Sequence, residues 1–415
     1  MQMHIINKQN FKNTISIDHT LIINEIEKSI KFYSWDFILS FLPAGSFLVG
    51  GYIRDLILGR LNSEIDIDIV VPKNAIKIGK KIAENFEGKL IILDEERDVV
   101  RIIFKNISID IASQIDPSLE IDLFRRDFSI NSIAFSFEKK ILIDPSNGIK
   151  DLSQSFLRTK SKQNLLDDPL RILRCFRFIS ELNFEVDIEL INFIKNHKNR
   201  LRLVANERIN YEIQRIIRSE NAAKSIQLIN KLQIFDFIQS DKDLIFIDLE
   251  KINIQEFNEI EKEKYLPLFF LTQILDESSL KSLKFSKSEI SKIKLLKKWN
   301  LILKKKNIYE LNEKERFQLH QELETILPSF IFSLPQKVHM DWLSRWRDKD
   351  DKLFHPAHLI KGDVVKNYLK IKEGPLLGKL INYLSRELAF DRLDNFDEAI
   401  YKGKQWIKQN APKCD

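Results

Sequence analysis

Two short segments carry residue types suited to phosphate chemistry: Leu48-Val49-Gly50-Gly51-Tyr52-Ile53-Arg54-Asp55 and Glu64-Ile65-Asp66-Ile67-Asp68-Ile69. Paired glycines let a backbone turn sharply and approach a ligand closely. A helix predicted to start near Tyr52 would present free N–H groups and a positive dipole end, which suit a phosphate. In the second segment acids alternate with isoleucines. In a strand this puts Glu64, Asp66 and Asp68 on one face and Ile65, Ile67 and Ile69 on the other, toward a core. Crowded carboxylates repel unless a cation neutralises them, and magnesium, a hard ion, prefers oxygen ligands. Alone, each half reads equally as a tight turn or the wet face of a strand. Together, in this order, they predict a site for a nucleoside triphosphate and two metal ions.

A two-metal site needs a third acid, and Asp110 in Ser108-Ile109-Asp110-Ile111-Ala112 alternates with isoleucine in the same way. By itself it would read as a surface acid. Arg125-Arg126-Asp127-Phe128-Ser129-Ile130-Asn131 offers either a salt-bridged helix start or charge-assisted bonds to phosphates and ribose hydroxyls. In Asp167-Asp168-Pro169-Leu170-Arg171, proline at a first helical position after an aspartate is a normal helix start. Arg171 lies three residues after Asp168, so the two can share a face, and Arg174 and Arg177 continue the stripe. The plain alternative is an N-cap followed by a solvated basic stripe.

These four segments, in this order, resemble the class II tRNA nucleotidyltransferases of the bacterial CCA-adding enzyme and poly(A) polymerase family, whose head belongs to the DNA polymerase beta superfamily. The resemblance is strong from Phe47 to about Glu212. It is weaker across the last seventy residues, carried by His355-Pro356-Ala357-His358, Lys361-Gly362-Asp363 and Gly374-Pro375-Leu376-Leu377-Gly378. It implies triphosphate binding by Gly50, Gly51, Arg54 and Asp55. It implies metal binding and catalysis by Asp66, Asp68 and Asp110, with two Mg2+ ions as cofactors. Glu64 and Asp66 form an alternative register for the metal pair; Asp66 and Asp68 are preferred because they precede Ile69-Val70-Val71. Ribose and phosphate contacts are implied for Arg125, Arg126 and Asp127, with Asn131 behind them. Reading of the incoming base is implied for Asp168 and Arg171, with Arg174 and Arg177 also expected at the nucleotide. The first acid of that motif, Asp167, is a glutamate in the family. Asn206-Glu207-Arg208-Ile209 matches a later helical motif.

Base selection follows from donor and acceptor patterns. Cytosine and adenine each present an exocyclic amine beside a ring-nitrogen acceptor, so a carboxylate and a guanidinium complement both. Uracil and guanine would set a carbonyl against the carboxylate, and a buried mismatch costs roughly 1–3 kcal/mol per group. The implied activity is template-independent addition of C, C and A to the 3′ end of tRNA from CTP and ATP. CC-only addition, A-only addition and poly(A) synthesis share the motifs. The Gly-Arg-Arg-Phe-like signature of bacterial poly(A) polymerases is absent between the metal strand and the third acid, where Leu93-Asp94-Glu95-Glu96-Arg97-Asp98-Val99 stands instead. This favours tRNA end repair. That stretch reads either as a loop that switches from CTP to ATP or as a plain hairpin connection. From other classes, a non-catalytic RNA-binding protein would have lost a metal acid, and a protein-modifying nucleotidyltransferase would not need the Arg-Arg-Asp segment.

The elements that position these residues follow from apolar spacing. Strands are predicted at 47–49, 65–71, 90–93, 99–104, 107–112 and 133–137, and a helix at 73–86. This gives a head with roughly five strands. After Asp144-Pro145-Ser146-Asn147-Gly148, a turn by composition, the pattern turns mostly helical. The expected architecture is α+β: a polymerase-beta-like nucleotidyltransferase head with a small mixed sheet, followed by an all-helical neck, body and tail. The expected divisions are a helical extension over 1–42, the head over 43–150, the neck over 151–225, the body over 226–310 and a tRNA-binding tail over 311–415.

At 415 residues the chain is too long for one typical domain. It is 44% hydrophobic and has no run of about twenty apolar residues, so no membrane span is expected. Met1 to Asn13 lacks a signal-peptide apolar stretch, and the two cysteines, Cys175 and Cys414, suggest neither a disulfide framework nor a zinc site. The expected compartment is the cytoplasm. The net charge of +6 says little about partners, but ten lysines and one acid, Glu289, lie between Lys281 and Lys306. A helix over 288–305 would carry Lys292, Lys297 and Lys298 as candidate RNA contacts, or simply form a solvated face. His339, His355 and His358, near Trp342 and Trp346, read as packing or RNA contacts, not metal ligands. The oligomeric state is left open by the sequence.

Overall fold

In the computed structural model of the protein, residues 18–61, 63–114, 118–239, 249, 252, 254–356, 362–371, 374–393 and 395–410 are described. Met1 to Asn13, His358, Lys361 and Cys414 lie outside them. The chain forms two units, 1–204 and 205–415.

In the first unit, helix α1 (His19–Phe32) begins at Asp18, whose carboxylate accepts from the Thr20 N–H at 2.8 Å. Ile22, Ile26 and Ile30 recur every four residues and are buried. Ser29 on the same face accepts from the Tyr52 hydroxyl at 2.9 Å, and the Trp35 indole donates to that hydroxyl at 3.3 Å. The helix is thereby fastened to the segment that carries Gly50 and Gly51.

Strands β1 (Phe47–Val49), β2 (Ile65–Val71), β3 (Lys89–Asp94), β4 (Val99–Ile103), β5 (Ile107–Ser113), β6 (Ala134–Ser136) and β7 (Leu142–Ile143) make one sheet in the order β3-β4-β5-β2-β1-β6-β7. β2 and β5 pair in parallel; the other neighbours are antiparallel. The sheet thus has seven strands where roughly five were expected. β7 is two residues long and carries no readable alternation. In β2, Ile65, Ile67 and Ile69 are buried, and each stabilises by about 1.5–3 kcal/mol.

Helix α2 (Gly51–Ile57) follows β1, and α3 (Ala75–Phe86) covers β4 and β5, starting two residues later than expected because Asn74 is left-handed. The connection of β3 to β4 is a tight hairpin. Asp98 in it accepts from the Ala75 and Ile76 N–H groups at 2.8 and 2.9 Å, capping α3. Helices α4 (Leu119–Phe124), α5 (Gly148–Ser153), α6 (Gln163–Asp167), α7 (Leu170–Leu182) and α8 (Ile188–His197) complete the unit, with a small parallel pair β8 (Phe156–Leu157) and β9 (Glu185–Val186).

The second unit is helical throughout its described residues: α9 (Asn206–Ile217), α10 (Ala222–Leu232), α11 (Glu259–Ile274), α12 (Glu277–Ser282), α13 (Lys287–Lys305), α14 (Glu313–Leu323), α15 (Leu327–Ile331), α16 (His339–Arg347), α17 (Gly362–Leu369), α18 (Pro375–Ala389) and α19 (Phe396–Asn410), joined by short 3-10 turns. Three of these helices open with reciprocal caps, Asn258 with Glu261, Ser286 with Glu289 and Asn312 with Glu315. No described helix is long and apolar enough to cross a membrane.

Candidate active site

The acids meet because of strand register. Parallel pairing of β2 with β5 sets Asp68 opposite Asp110 and Asp66 opposite Ser108. Asp66 and Asp68 lie two residues apart in β2 and so share a face. Asp66 is exposed and Asp68 half-buried. Glu64, the alternative partner, sits in a bend before the strand begins. Burial pushes the Asp68 carboxyl above its ordinary pKa; Arg126 pulls it down, and the charges of Asp110 and Asp66 push it up again.

Gly50 closes the site from the β1 side. Its φ of +76° favours glycine, and its N–H donates to the Ile133 carbonyl at 3.0 Å. A Cβ at Gly50 would lie 2.7 Å from Arg126 Nη1 and 3.3 Å from Asp68 Oδ2. The glycine turn, Arg126 and Asp68 therefore converge on one spot.

Five of the expected nucleotide-binding residues form a single hydrogen-bonded chain. Arg54 donates to both oxygens of Asp55, at 3.0 and 2.7 Å, and to Asn131 Oδ1 at 2.6 Å. Asn131 Nδ2 donates to Asp127 at 2.9 Å, and Arg174 Nε donates to Asp127 at 2.6 Å. Burial disfavours the Asp127 charge, yet Arg174 and the Asn131 and Phe128 N–H donors hold its pKa down at about 2. This chain links α2, the 129–131 turn and α7.

Arg125 and Arg126 follow the end of α4; they do not start a helix, as one reading of the sequence had it. The carbonyls exposed there are taken up by side chains. Asn164 Nδ2 donates to the Phe124 and Arg126 carbonyls at 2.7 Å each, and Arg171 Nη1 donates to the Arg125 carbonyl at 2.7 Å. Asp168 precedes α7 and accepts from the Leu170 N–H at 3.2 Å. Arg174 and Arg177 do not form a solvated stripe. Arg177 is buried, 3.7 Å from Glu181 and over the Phe178 ring, because α7 is covered nearly all round. Its expected place at the nucleotide meets a side chain packed into the neck.

Two residues of this region were not singled out from sequence. Asn164 buttresses the arginine pair. Arg101, opposite Asp110 across β4 and β5, grips both its oxygens at 2.7 Å. The one signal for Arg101 was a charge inside the apolar run Val99-Val100-Arg101-Ile102-Ile103.

The donor set at the acids is all carboxylate oxygen, which fits a hard divalent cation. The mutual repulsion at Asp68 is what such an ion would relieve. Among the described residues no three acidic, histidine or cysteine side chains are already gathered around one metal position.

Residues 46–158 match the model of the poly A polymerase head domain, and residues 183–243 match that of the probable RNA and SrmB-binding site of polymerase A. The CC-adding tRNA nucleotidyltransferase of Synechocystis sp. is 29% identical over 393 residues, spanning 88% of this chain and 94% of the relative. The chain is similar to the tRNA nucleotidyltransferase and poly(A) polymerase family. Another relative, the CCA-adding enzyme of Streptococcus mutans, is 27% identical over 86% of this chain and 91% of its own length. The fold matches that of the Thermotoga maritima CCA-adding enzyme solved with tRNA-CCA, with a TM-score of 0.71 at 20% identity over 94% of this chain and 99% of that one.

Elsewhere in the chain, much of the lysine-rich α13 region is paired internally. Lys298 binds Glu322 at 2.6 Å, Lys306 binds Glu315 at 2.6 Å, Lys281 and Lys294 bind Glu277 at 2.7 and 3.6 Å, and Lys284 binds Glu207. Lys292 and Lys297 are half-buried. His339 and His355 are packing residues, their Nε2 atoms bonded to the Leu334 and Trp346 carbonyls at 2.9 and 2.7 Å.

Proposed function

We propose that this chain is a template-independent tRNA nucleotidyltransferase that adds C, C and A to the RNA 3′ end from CTP and ATP. The observation that carries the reading is the opposition of Asp68 and Asp110 on adjacent parallel strands, beside the Gly50 turn and Arg126. Homologues named CCA-adding enzyme, which match along most of the chain, support it.

In the proposed reaction the 3′-oxygen attacks the α-phosphorus of the incoming nucleotide. The bond to the β-phosphate oxygen breaks and pyrophosphate leaves with the electron pair. Asp66, Asp68 and Asp110 would hold two Mg2+ ions, which when bound neutralise triphosphate charge and acidify the RNA 3′-hydroxyl. Asp110 would accept that proton once an ion displaces part of its pairing with Arg101. Gly50 and Gly51 give the triphosphate room, and Arg126, leaning over Gly50, supplies positive charge to it. The Asp55–Arg54–Asn131–Asp127–Arg174 chain holds the ribose side rigid, so positioning does most of the catalytic work. Asp168 and Arg171 read the amine and ring nitrogen of the base. The proposed compartment is the cytoplasm.

Extension of tRNA transcripts ending at the discriminator base, at C and at CC tests the proposal. Each is offered CTP, ATP, both, or UTP with GTP, with magnesium. Ordered addition of C, C and A that then stops is expected. The Synechocystis relative, which matches along most of the chain, is named CC-adding. It favours CC-only addition as the second reading, and an extension that halts at CC would establish that activity. Replacing Asp168 or Arg171 should let UTP and GTP in, each lost contact being worth about 1–3 kcal/mol of discrimination.

A further inference from the structure

We infer that Arg101 is the resident counter-cation of the acid site, a positioning residue that holds Asp110 before a divalent ion arrives and raises the ion concentration the site needs. The inference rests on the proposed reading of Asp66, Asp68 and Asp110 as the metal-holding acids.

Three adjacent strands place Arg101, Asp110 and Asp68 on one rung, Arg101 opposite Asp110 and Asp110 opposite Asp68. Residues opposed in this way share a face of the sheet and interact directly. Arg101 Nε and Nη2 each donate to a different oxygen of Asp110 at 2.7 Å, the bidentate geometry in which guanidinium–carboxylate pairs are strongest. Arg126 stands on the other side of Asp68, beside Gly50 and 3.5 Å from Asp122, while Arg101 binds Asp110.

The side chain of Arg101 is 42% exposed, while its neighbours Val100 and Ile102 are fully buried. Arg101 therefore contributes little to the core, and its fork serves the carboxylate. With both oxygens drawn toward β4, Asp110 is fixed in place but shares its charge with a cation already there. A divalent ion must enter against that positive charge. Carboxylates near metals are commonly oriented by such outer partners. Here the partner is itself charged, so it both orients and competes.

The test is Mn2+ binding to the full-length protein without nucleotide or RNA, read as free Mn2+ by electron paramagnetic resonance. Arg101→Gln should bind Mn2+ on the order of tenfold more tightly, the effect of removing a single charge roughly 6 Å from a divalent one in water. Arg101→Lys, which keeps the charge without the fork, should stay near the unaltered protein. The gain should vanish when Arg101→Gln is combined with Asp110→Asn. A merely structural role predicts weaker binding or none of these patterns. Unchanged or weaker binding by Arg101→Gln overturns the inference, as does Arg101→Lys behaving like Arg101→Gln. Asp68→Asn separates the two readings: it should abolish binding whatever residue 101 is. If it does not, or if no variant binds Mn2+, the acid-site reading fails and this inference falls with it.

Discussion

Arg174 reaches from α7 to the buried Asp127, its Nε donating to Oδ2 at 2.6 Å and its Nη2 lying 2.6 Å from the same oxygen. The folded pKa of Asp127, about 2, lies below its ordinary 3.8. A depressed carboxylate pKa stabilises the fold fully above the unfolded value and loses that contribution as pH falls through the folded one. Asp127→Asn should therefore cost about 2 kcal/mol at pH 7. In urea melts the gap between the two proteins should close between about pH 4 and pH 2. A gap that stays constant over that window would show that Asp127 acts through packing and not through charge.

Gly50→Ala is expected to separate folding from catalysis. The substitution forces a non-glycine residue to φ +76° and drives Arg126 Nη1 away from a Cβ 2.7 Å distant. The backbone penalty is about 1 kcal/mol, a shift of a few degrees in thermal midpoint. Because Arg126 is a flexible side chain, the protein should still fold, but nucleotide addition should fall by at least about tenfold, matching the displacement of one charge-assisted contact of 1.5–3 kcal/mol. Midpoint and steady-state rate measured on one preparation decide it.

Gly148→Ala should do the reverse. Its Cβ would meet the Ser129 carbonyl oxygen at 2.1 Å and the carbonyl carbon at 2.8 Å, and backbone cannot step aside. Overpacking of this kind costs about 1–3 kcal/mol. Denaturant midpoints should drop accordingly. The 129–131 turn that carries Asn131 should loosen, visible as faster amide exchange at Ile130 to Ser132.

The lysine face can be tested by salt. Lys292 and Lys297 are proposed as phosphate contacts, while Lys298 is engaged with Glu322. Replacing Lys292 and Lys297 together should reduce the slope of log affinity for tRNA against log salt by about 0.7–0.9 per lost phosphate contact. Lys298→Ala should change the slope less and thermal stability more.

β2 was readable to the residue because acids and isoleucines alternate there, β1 because a short apolar run stops at Gly50, and β5 followed from the same alternation as β2. What escaped the sequence was non-local. β7 is too short to show a period. The placement of Arg125 and Arg126 after a helix, not before one, depends on Asn164 and Arg171 reaching across from later in the chain. Arg177 looked like part of a solvated stripe because a repeat of three says which residues share a face, not whether another element covers it. The role of Arg101 required the β4–β5 register, which nothing local fixes. The acids, by contrast, declared themselves through residue type and spacing.

The parallel pairing of β2 with β5 also bears on when the protein becomes competent during its own synthesis. Asp66 and Asp68 emerge well before Asp110, and α3 and the β3–β4 hairpin must form between them. A strand pairing of such long sequence separation is slow relative to local structure. The newborn head thus passes through a stage in which its carboxylates are made but unassembled, and closure of one central ladder switches chemistry on. A single-residue insertion within β5 just before Asp110 would turn the acid toward the core and Ile111 out of it, so the register that fills the core is also the one that assembles the centre.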